Sequence, residues 1–398
     1  MREALLELAI NTTMIKALDS VRFYAFLAVF FFHCDYFHFE AGYIGVIAFF
    51  VLSGFLLTPI LVDMKSSMPF KRYMISFYGR RMLRIFPLYY LYLLVAGLIA
   101  GVAIFVFNSN RTSVVRLYEQ LPYVMTYTYD FYHASALFKH SLFTHFWSLA
   151  VEEQFYLVWP LFVWFCRTDK LKPYLFLIIL AGPLIRYVTY AACGWFGSSW
   201  LYHDPLVVVY VLPLSHFDAF ATGGLLALMP RLEWKHAAWT MTVVALMLGI
   251  VSQYIVSGDI LWGDLGYPPL MNGAWKLVWG YSVLNITFGC ILRAVKSNAF
   301  IRPLFSAPVI QYLGKISYGL YVYHFPIVWF ISFKYKSSKM LDKIGLTALM
   351  FVATVGLAAL SYELFEKKFI AMKDALFSKD ISSEKHEDIN AVRSDKQI

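Results

Sequence analysis

The stretch Trp147-Ser148-Leu149-Ala150-Val151-Glu152-Glu153-Gln154-Phe155-Tyr156-Leu157 sets two adjacent carboxylates at the mouth of an apolar run that continues through Trp159, Leu161, Phe162 and Trp164. An ionised carboxylate is costly in hydrocarbon, so acids in such a run usually face a protein interior or a cavity and have a function there. On helical spacing His145, Ser148, Glu152 and Tyr156 fall within roughly one face, and Glu153 points about 100° away. From this stretch alone two readings stay open. The acids face water at a helix end, or they work inside a bundle.

The rest of the chain decides the setting. Of 398 residues, 60% are hydrophobic, 19% aromatic and only 15% charged, with a mean hydropathy of +0.60. A soluble domain is about half apolar and about a quarter charged, so the composition is that of a polytopic membrane protein. The net charge of +9 is therefore no nucleic-acid footprint, because membrane proteins gather Lys and Arg in cytoplasmic loops. Cys34, Cys166, Cys193 and Cys290 are widely separated, with no CxxC and no metal-ligand spacing. They read as small buried hydrophobes, and no metal is expected. The first 16 residues carry Arg2, Glu3, Glu7 and Lys16 without a long apolar core. The first hydrophobic segment is thus expected to remain as a membrane helix.

A span needs about 20 mostly apolar residues. Candidate spans lie near 19–38, 43–62, 86–107, 147–166, 173–192, 206–229, 237–256, 275–294, 309–332 and 344–363, with room for a re-entrant piece between 108 and 146. Lys65, Lys71, Arg72, Arg80, Arg81 and Arg84 fall on one side by parity. Arg167, Lys170, Lys172, Arg231, Lys235, Arg293, Lys296 and Arg302 fall there too. On the other side, 35–43, 193–205 and 257–274 hold no Lys or Arg and the longest loop holds Arg111, Arg116 and Lys139, while Lys334, Lys336, Lys339 and Lys343 run against the trend. The expected fold is an all-α, polytopic helical bundle of about ten transmembrane helices with both termini cytoplasmic. It divides into a cytoplasmic segment 1–16, a membrane domain 17–370 and a flexible cytoplasmic tail 371–398.

Polar residues inside the spans mark candidate chemistry. Arg22 and His33 are eleven residues apart, about three helical turns and roughly 16 Å along one face. Asp19 is placed to pair with Arg22. His33 is a natural general base near neutral pH, although a lone membrane histidine more often makes an interhelical hydrogen bond. Ser53-Gly54 interrupts large apolar residues, which lets a backbone or a ligand approach closely. Arg80, Arg81 and Arg84 fall at the expected cytoplasmic start of a helix, with Pro87 in its first turns. The cluster suits phosphate oxygens and equally suits a topology anchor. His324 sits inside a later span, where a structural role is the simpler reading.

Together these stretches resemble the membrane-bound acyltransferase family 3, over about Ala17 to Glu366. The resemblance rests on Arg22 to His33, on Phe49-Phe50-Val51-Leu52-Ser53-Gly54-Phe55-Leu56-Leu57, and on Arg81 to Pro87. It rests also on residues 147–157 and on Ser317, Tyr318, Tyr321, His324 and Pro326. Ser20, Phe23 and Tyr24 are bulkier than the family pattern, and Lys367-Lys368 stand where many members have a proline. About thirty residues follow Glu366, fewer than the extracytoplasmic SGNH domain that some members carry.

The resemblance implies an O-acyltransferase of the bacterial inner membrane. It moves an acyl group, by family habit acetyl, from cytoplasmic acyl-CoA to a hydroxyl of a glycan, among membrane lipids. It implies that Arg80, Arg81 and Arg84 hold the phosphates of CoA beside Ser53. His33 then serves as general base, Glu152 or Glu153 orients it, and Arg22 holds CoA or balances a buried acid. Direct transfer and an acyl-enzyme on Ser53 or Cys34 both fit. Two alternatives remain: a proton-coupled transporter using the same polar residues, and a non-catalytic membrane protein that binds lipid or glycan.

Overall fold

A computed structural model of the chain describes residues 2–108, 111–196, 204–230, 234–297 and 302–377. Among these residues all regular structure is helical. The helices are α1 (Arg2–His33), α2 (Ile44–Ser67), α3 (Phe70–Gly101), α4 (Thr112–Met125), α5 (Tyr129–Ala134), α6 (Trp147–Phe165), α7 (Leu171–Phe196) and α8 (Pro205–Val211). They continue as α9 (Phe217–Ala227), α10 (Lys235–Ser257), α11 (Lys276–Ser297), α12 (Pro308–Lys315), α13 (Ser317–Lys334), α14 (Met340–Ser361) and α15 (Lys367–Phe377).

A helix stands at each of the ten expected positions, two of them as bent pairs. The chain turns by 65° before α9 and by 74° between α12 and α13. Judged by length and apolarity, however, six helices of the described residues are long enough to cross a membrane, or eight if each bent pair is one span. α1 and α6 are not among them. They carry Asp19, Arg22 and His33 on one and Glu152 and Glu153 on the other, so their apolar runs are interrupted. α4 and α5 fill the interval where a re-entrant piece was expected.

Burial sorts the helices into two kinds. The apolar windows of α2 and α11 are 67% and 61% buried, whereas those of α3, α7 and α10 are 17% buried and that of α14 is 22%. The second group turns Leu94, Leu98 and Ile99, Leu177, Leu180 and Leu184, Ile255, and Val352 and Leu360 outward. Apolar surface on that scale does not persist in water, and it matches the hydrocarbon of a bilayer. The fold is that of a multi-pass membrane protein.

α2 is the hub, packed on α1, α6, α9 and α11. Its closest contact is reciprocal. A Cβ on Gly54 would lie 1.9 Å from the Phe220 carbonyl oxygen, and a Cβ on Gly223 would lie 1.9 Å from that of Val51. Bare glycines thus let α2 and α9 touch backbone to backbone, the small-residue packing that membrane helices use without a hydrophobic driving force. A second tie joins α7, α9 and α11. The fully buried Arg186 donates to Asp218 Oδ2 at 2.9 Å, to the Ser215 carbonyl at 2.8 Å, to the Val278 carbonyl at 3.1 Å and to Ser282 Oγ at 2.6 Å.

Two boundaries differ from expectation. α3 begins at Phe70, so Arg80, Arg81 and Arg84 lie inside a helix and Pro87 is in its interior. The loop expected before it shrinks to residues 68–69. Basic side chains kept the segment from reading as a span, yet nothing in them opposes helix formation. At the other end α15 runs to Phe377, into the expected tail. It is held on α3 because Arg80 donates to the Phe377 carbonyl and Gly79 leaves room for the Phe377 ring. Residues 378–398, Arg231 and most of the expected loop 193–205 lie outside the described residues.

Gly54→Ala or Gly223→Ala should cost the fold at least about 1–3 kcal/mol through overpacking. Gly356→Ala, where a Cβ meets nothing within 4 Å, should be neutral. Thermal melting of the detergent-solubilised protein, followed by size-exclusion chromatography, reads the difference.

Candidate functional site: two cavities sharing a wall

Two cavities lie along the bundle. The first, about 900 Å³ of empty space with its open mouth, is lined by Arg22, Ser53, Arg81, Arg84, Ser148, Glu152, Glu153, Tyr156, Tyr318 and Tyr321, among others. Its guanidiniums come from α1 and α3. Arg81 and Arg84 are three residues apart on α3, so they share a face. Arg22 pairs with Asp19. Arg81 lies 4.8 Å from the centre of the Tyr156 ring. Arg84 makes no hydrogen bond or ion pair among the described residues, which leaves its fork open to an anion.

Arg80 is not part of this group. It donates to Ser76 Oγ at 3.3 Å and to the Phe377 carbonyl, with its guanidinium 5.8 Å from the Phe377 ring centre. The expected three-arginine cluster on α3 is therefore two arginines, completed by Arg22 from α1.

The carboxylate of Glu152 is held in place. Its Oε1 accepts from Ser53 Oγ at 2.6 Å and from the Tyr156 hydroxyl, which sits one turn further along α6. Ser53 and Gly54 thus split the two roles that a small residue could take. Gly54 receives the α9 backbone while Ser53 turns into the cavity.

The second cavity, about 710 Å³, is lined by His33, His133, His140, His145, Trp147, Tyr210 and Phe325, among others, and among the described residues no Asp, Glu, Lys or Arg lines it. Val46 and Tyr321 line both cavities. Tyr321 is fixed there, with its hydroxyl 2.5 Å from Ser148 Oγ and 3.1 Å from the His145 carbonyl. The motif at 147–157 spans the wall, since Trp147 faces the histidine-lined side while Glu152 and Tyr156 face the arginine-lined side.

The structure therefore does not bring His33 and the two glutamates together. His33 Nδ1 lies 3.1 Å from the Val29 carbonyl oxygen and 3.1 Å from His324 Nε2. Glu152 is taken up by Ser53 and Tyr156 on the other side of the wall. The reason is the helix rise: Arg22 and His33 share α1 but stand three turns apart, so one end of that face meets each cavity. Cys34 is buried against α14, with its sulfur 3.5 Å from Thr347 Oγ1, and lines neither cavity. Asp35 is exposed.

The spacing that sets His145 on one face with Ser148, Glu152 and Tyr156 gives it no role, and the structure places it in the other cavity from those three. Trp147 as a cavity residue and the Arg186–Asp218 pair are not singled out by the sequence reading. A charged residue in the middle of an apolar span was signal enough for the pair. His145 precedes the run at 147–157, and nothing local shows that α13 will close over it.

Binding of inorganic pyrophosphate to the purified protein, followed by isothermal titration, should weaken at least about tenfold in Arg84→Ala, because a charge-assisted hydrogen bond contributes about 1.5–3 kcal/mol. Arg80→Ala should leave it unchanged. Equal losses from both substitutions would contradict the division of the cluster described above.

A sequence model described as an acyltransferase domain matches residues 15–363. Among curated relatives, "Putative peptidoglycan O-acetyltransferase YrhL" of Bacillus subtilis (strain 168) is 27% identical over 380 residues, covering 89% of this chain and 54% of the relative. "O-acetyltransferase OatA" of Staphylococcus aureus (strain NCTC 8325 / PS 47) is 26% identical over 389 residues, covering 91% and 58%. The chain thus spans a little over half the length of these relatives. No solved structure matches. With the domain match running from before α1's polar face to the end of α14, the chain belongs to the membrane-bound acyltransferase family 3.

Proposed function

We propose that the protein is an integral-membrane O-acyltransferase that moves an acyl group, acetyl, from acyl-CoA to a hydroxyl of a carbohydrate. The observation that carries this reading is the shared wall. An arginine-lined cavity and a histidine-lined cavity meet at Val46 and Tyr321, so an anionic donor and a neutral acceptor have separate places on either side of one reacting point.

Arg22, Arg81 and Arg84 hold the phosphates of CoA, because a guanidinium binds phosphate oxygens bidentately. Glu152, fixed by Ser53 and Tyr156, balances the guanidiniums and keeps Tyr156 under Arg81, and Glu153 adds a second acid to the same cavity. The thioester reaches the wall from this side. On the other side Nε2 of His33 takes the proton of the acceptor hydroxyl as its oxygen attacks the thioester carbon. The C–S bond breaks, and the leaving sulfur takes the same proton from His33, so ester and CoA thiol are the products. With Lys and Arg gathered on one side by parity, the arginine-lined cavity opens to the cytoplasm, where acyl-CoA is made. That orientation goes with ten spans, both termini cytoplasmic and a bacterial inner membrane, with membrane lipids around the bundle. The printed names of the two relatives, both O-acetyltransferases, support acetyl as the group, and that of the Bacillus relative, a putative peptidoglycan O-acetyltransferase, supports a glycan as the acceptor.

Mass spectrometry of surface glycans and polar lipids tests the reading in cells expressing the wild type or His33→Ala. An added acetyl mass should be present with the wild type and absent with a folded variant, with turnover in membranes lowered by about 10²–10⁴. An unaltered mass spectrum in every wild-type fraction, together with substrate flux that consumes no acyl-CoA, would make the protein a transporter instead.

A further inference from the structure

His33 has a partner that no motif assigned to it. His324, on α13, is wholly buried behind His33 and does not line either cavity. Its Nδ1 lies 2.6 Å from the Tyr321 carbonyl oxygen, and its Nε2 lies 3.1 Å from His33 Nδ1. These contacts fix every proton along the chain. A carbonyl oxygen only accepts, so His324 Nδ1 carries the hydrogen and donates it. A neutral imidazole has one N–H, and His324 Nε2 is then a lone pair. His33 Nδ1 must therefore carry a hydrogen and donate it to His324, and the Val29 carbonyl at 3.1 Å asks for the same hydrogen. The reversed arrangement would press His324 Nδ1, as a lone pair, against the Tyr321 oxygen and His33 Nδ1 against the Val29 oxygen. What remains is Nε2 of His33, which has no hydrogen bond within the described residues and belongs to a ring lining the histidine-lined cavity.

We propose that His324 is the positioning residue of His33: it accepts the His33 Nδ1 hydrogen, and so holds His33 in the tautomer whose Nε2 lone pair is presented to the histidine-lined cavity. This takes the place expected for Glu152 or Glu153, and it rests on the reading of His33 as the base. When Nε2 receives the hydroxyl proton, the charge is shared through Nδ1–H with an imidazole rather than a carboxylate. The proton itself stays on His33 until the departing sulfur takes it, and His324 loses and gains none. The arrangement suits an apolar interior, because no permanent charge is buried beside the base while it waits. The ring of His324 is kept in register by edge contacts with Phe26 at 5.7 Å and His145 at 5.3 Å between centroids. Those contacts make phenylalanine a close replacement in shape, without the acceptor.

The test uses the full chain in nanodiscs, labelled with ¹⁵N-histidine, with His33→Gln to assign the His33 signals. The ¹⁵N spectrum should show His33 as the Nδ1–H tautomer in the wild type and a mixture in His324→Phe. In the same preparations His324→Phe should lower kcat for acyl transfer by about 10–100-fold with the KM for acyl-CoA unchanged. His324→Gln, whose side-chain oxygen can stand near the lost Nε2, should recover most of it. A wild-type His33 protonated at Nε2 would overturn the proposal without any activity measurement. So would a folded His324→Phe with wild-type kcat, or a His324→Gln no better than His324→Phe at equal melting temperature. If His324→Phe does not fold, the wild-type tautomer and the Gln variant decide. A wild type that releases no CoA thiol with any acceptor would remove the acyltransferase reading instead, and would leave the tautomer result to be judged separately.

Discussion

A polar group buried in a membrane bundle has no water to turn to, and the architecture follows from where such groups find partners. α1 and α6 carry several such groups, and α3 and α7, whose apolar windows are mostly turned outward, carry Arg81, Arg84 and Arg186 on their inner faces. Arg186 shows the constraint at its strictest. Fully buried, it finds a carboxylate on α9, a carbonyl in the turn before it, and a carbonyl and a hydroxyl on α11, and in doing so joins α7, α9 and α11. Removing one member of such a group strands the other, which typically costs about 3–5 kcal/mol. The pair therefore fixes positions rather than performing chemistry, and it supports α9, on which α2 rests.

The contact of α2 with α9 then sets the site. Because Gly54 and Gly223 allow the two backbones to touch, the neighbouring Ser53 is turned toward α6, where it meets Glu152. Nearer the start of α2, Val46 reaches the wall that it shares with Tyr321. One helix thus supplies the packing surface, a polar ligand for the acid and half of the partition between the cavities. The wall is hydrogen-bonded through Tyr321, Ser148 and the His145 carbonyl. An arginine-lined side and a histidine-lined side thus share Val46 and Tyr321.

Much of the candidate site could be read from residue types and spacing. Arg22, Ser53, Arg81, Arg84, Glu152, Glu153 and His33 all line a cavity, because polar side chains on apolar helices turn inward. Helical period alone misplaced Glu153, which shares a cavity with Glu152, and His145, which does not. Arg80 was included for the same reason and turned away, since its guanidinium found the C-terminal end of α15, a helix that the polar composition of the tail concealed. Ten spans were expected and six to eight helices of the described residues pass by length and apolarity; the charges on α1 and α6 lower the apolarity by which spans are recognised.

Composition, motifs and helical period act along one chain, and they suffice for the class of fold, the family and the polar residues worth following. The pairings come from packing between distant helices. It separated His33 from Glu152 and gave it His324, 291 positions away. It divided one expected site into two cavities, left Arg80 outside both and set Arg22 in the same cavity as Arg81 and Arg84. The physical reason is that a helix orders its own faces through local hydrogen bonds, whereas which face meets which depends on side-chain volumes and bare glycines at contacts between distant helices.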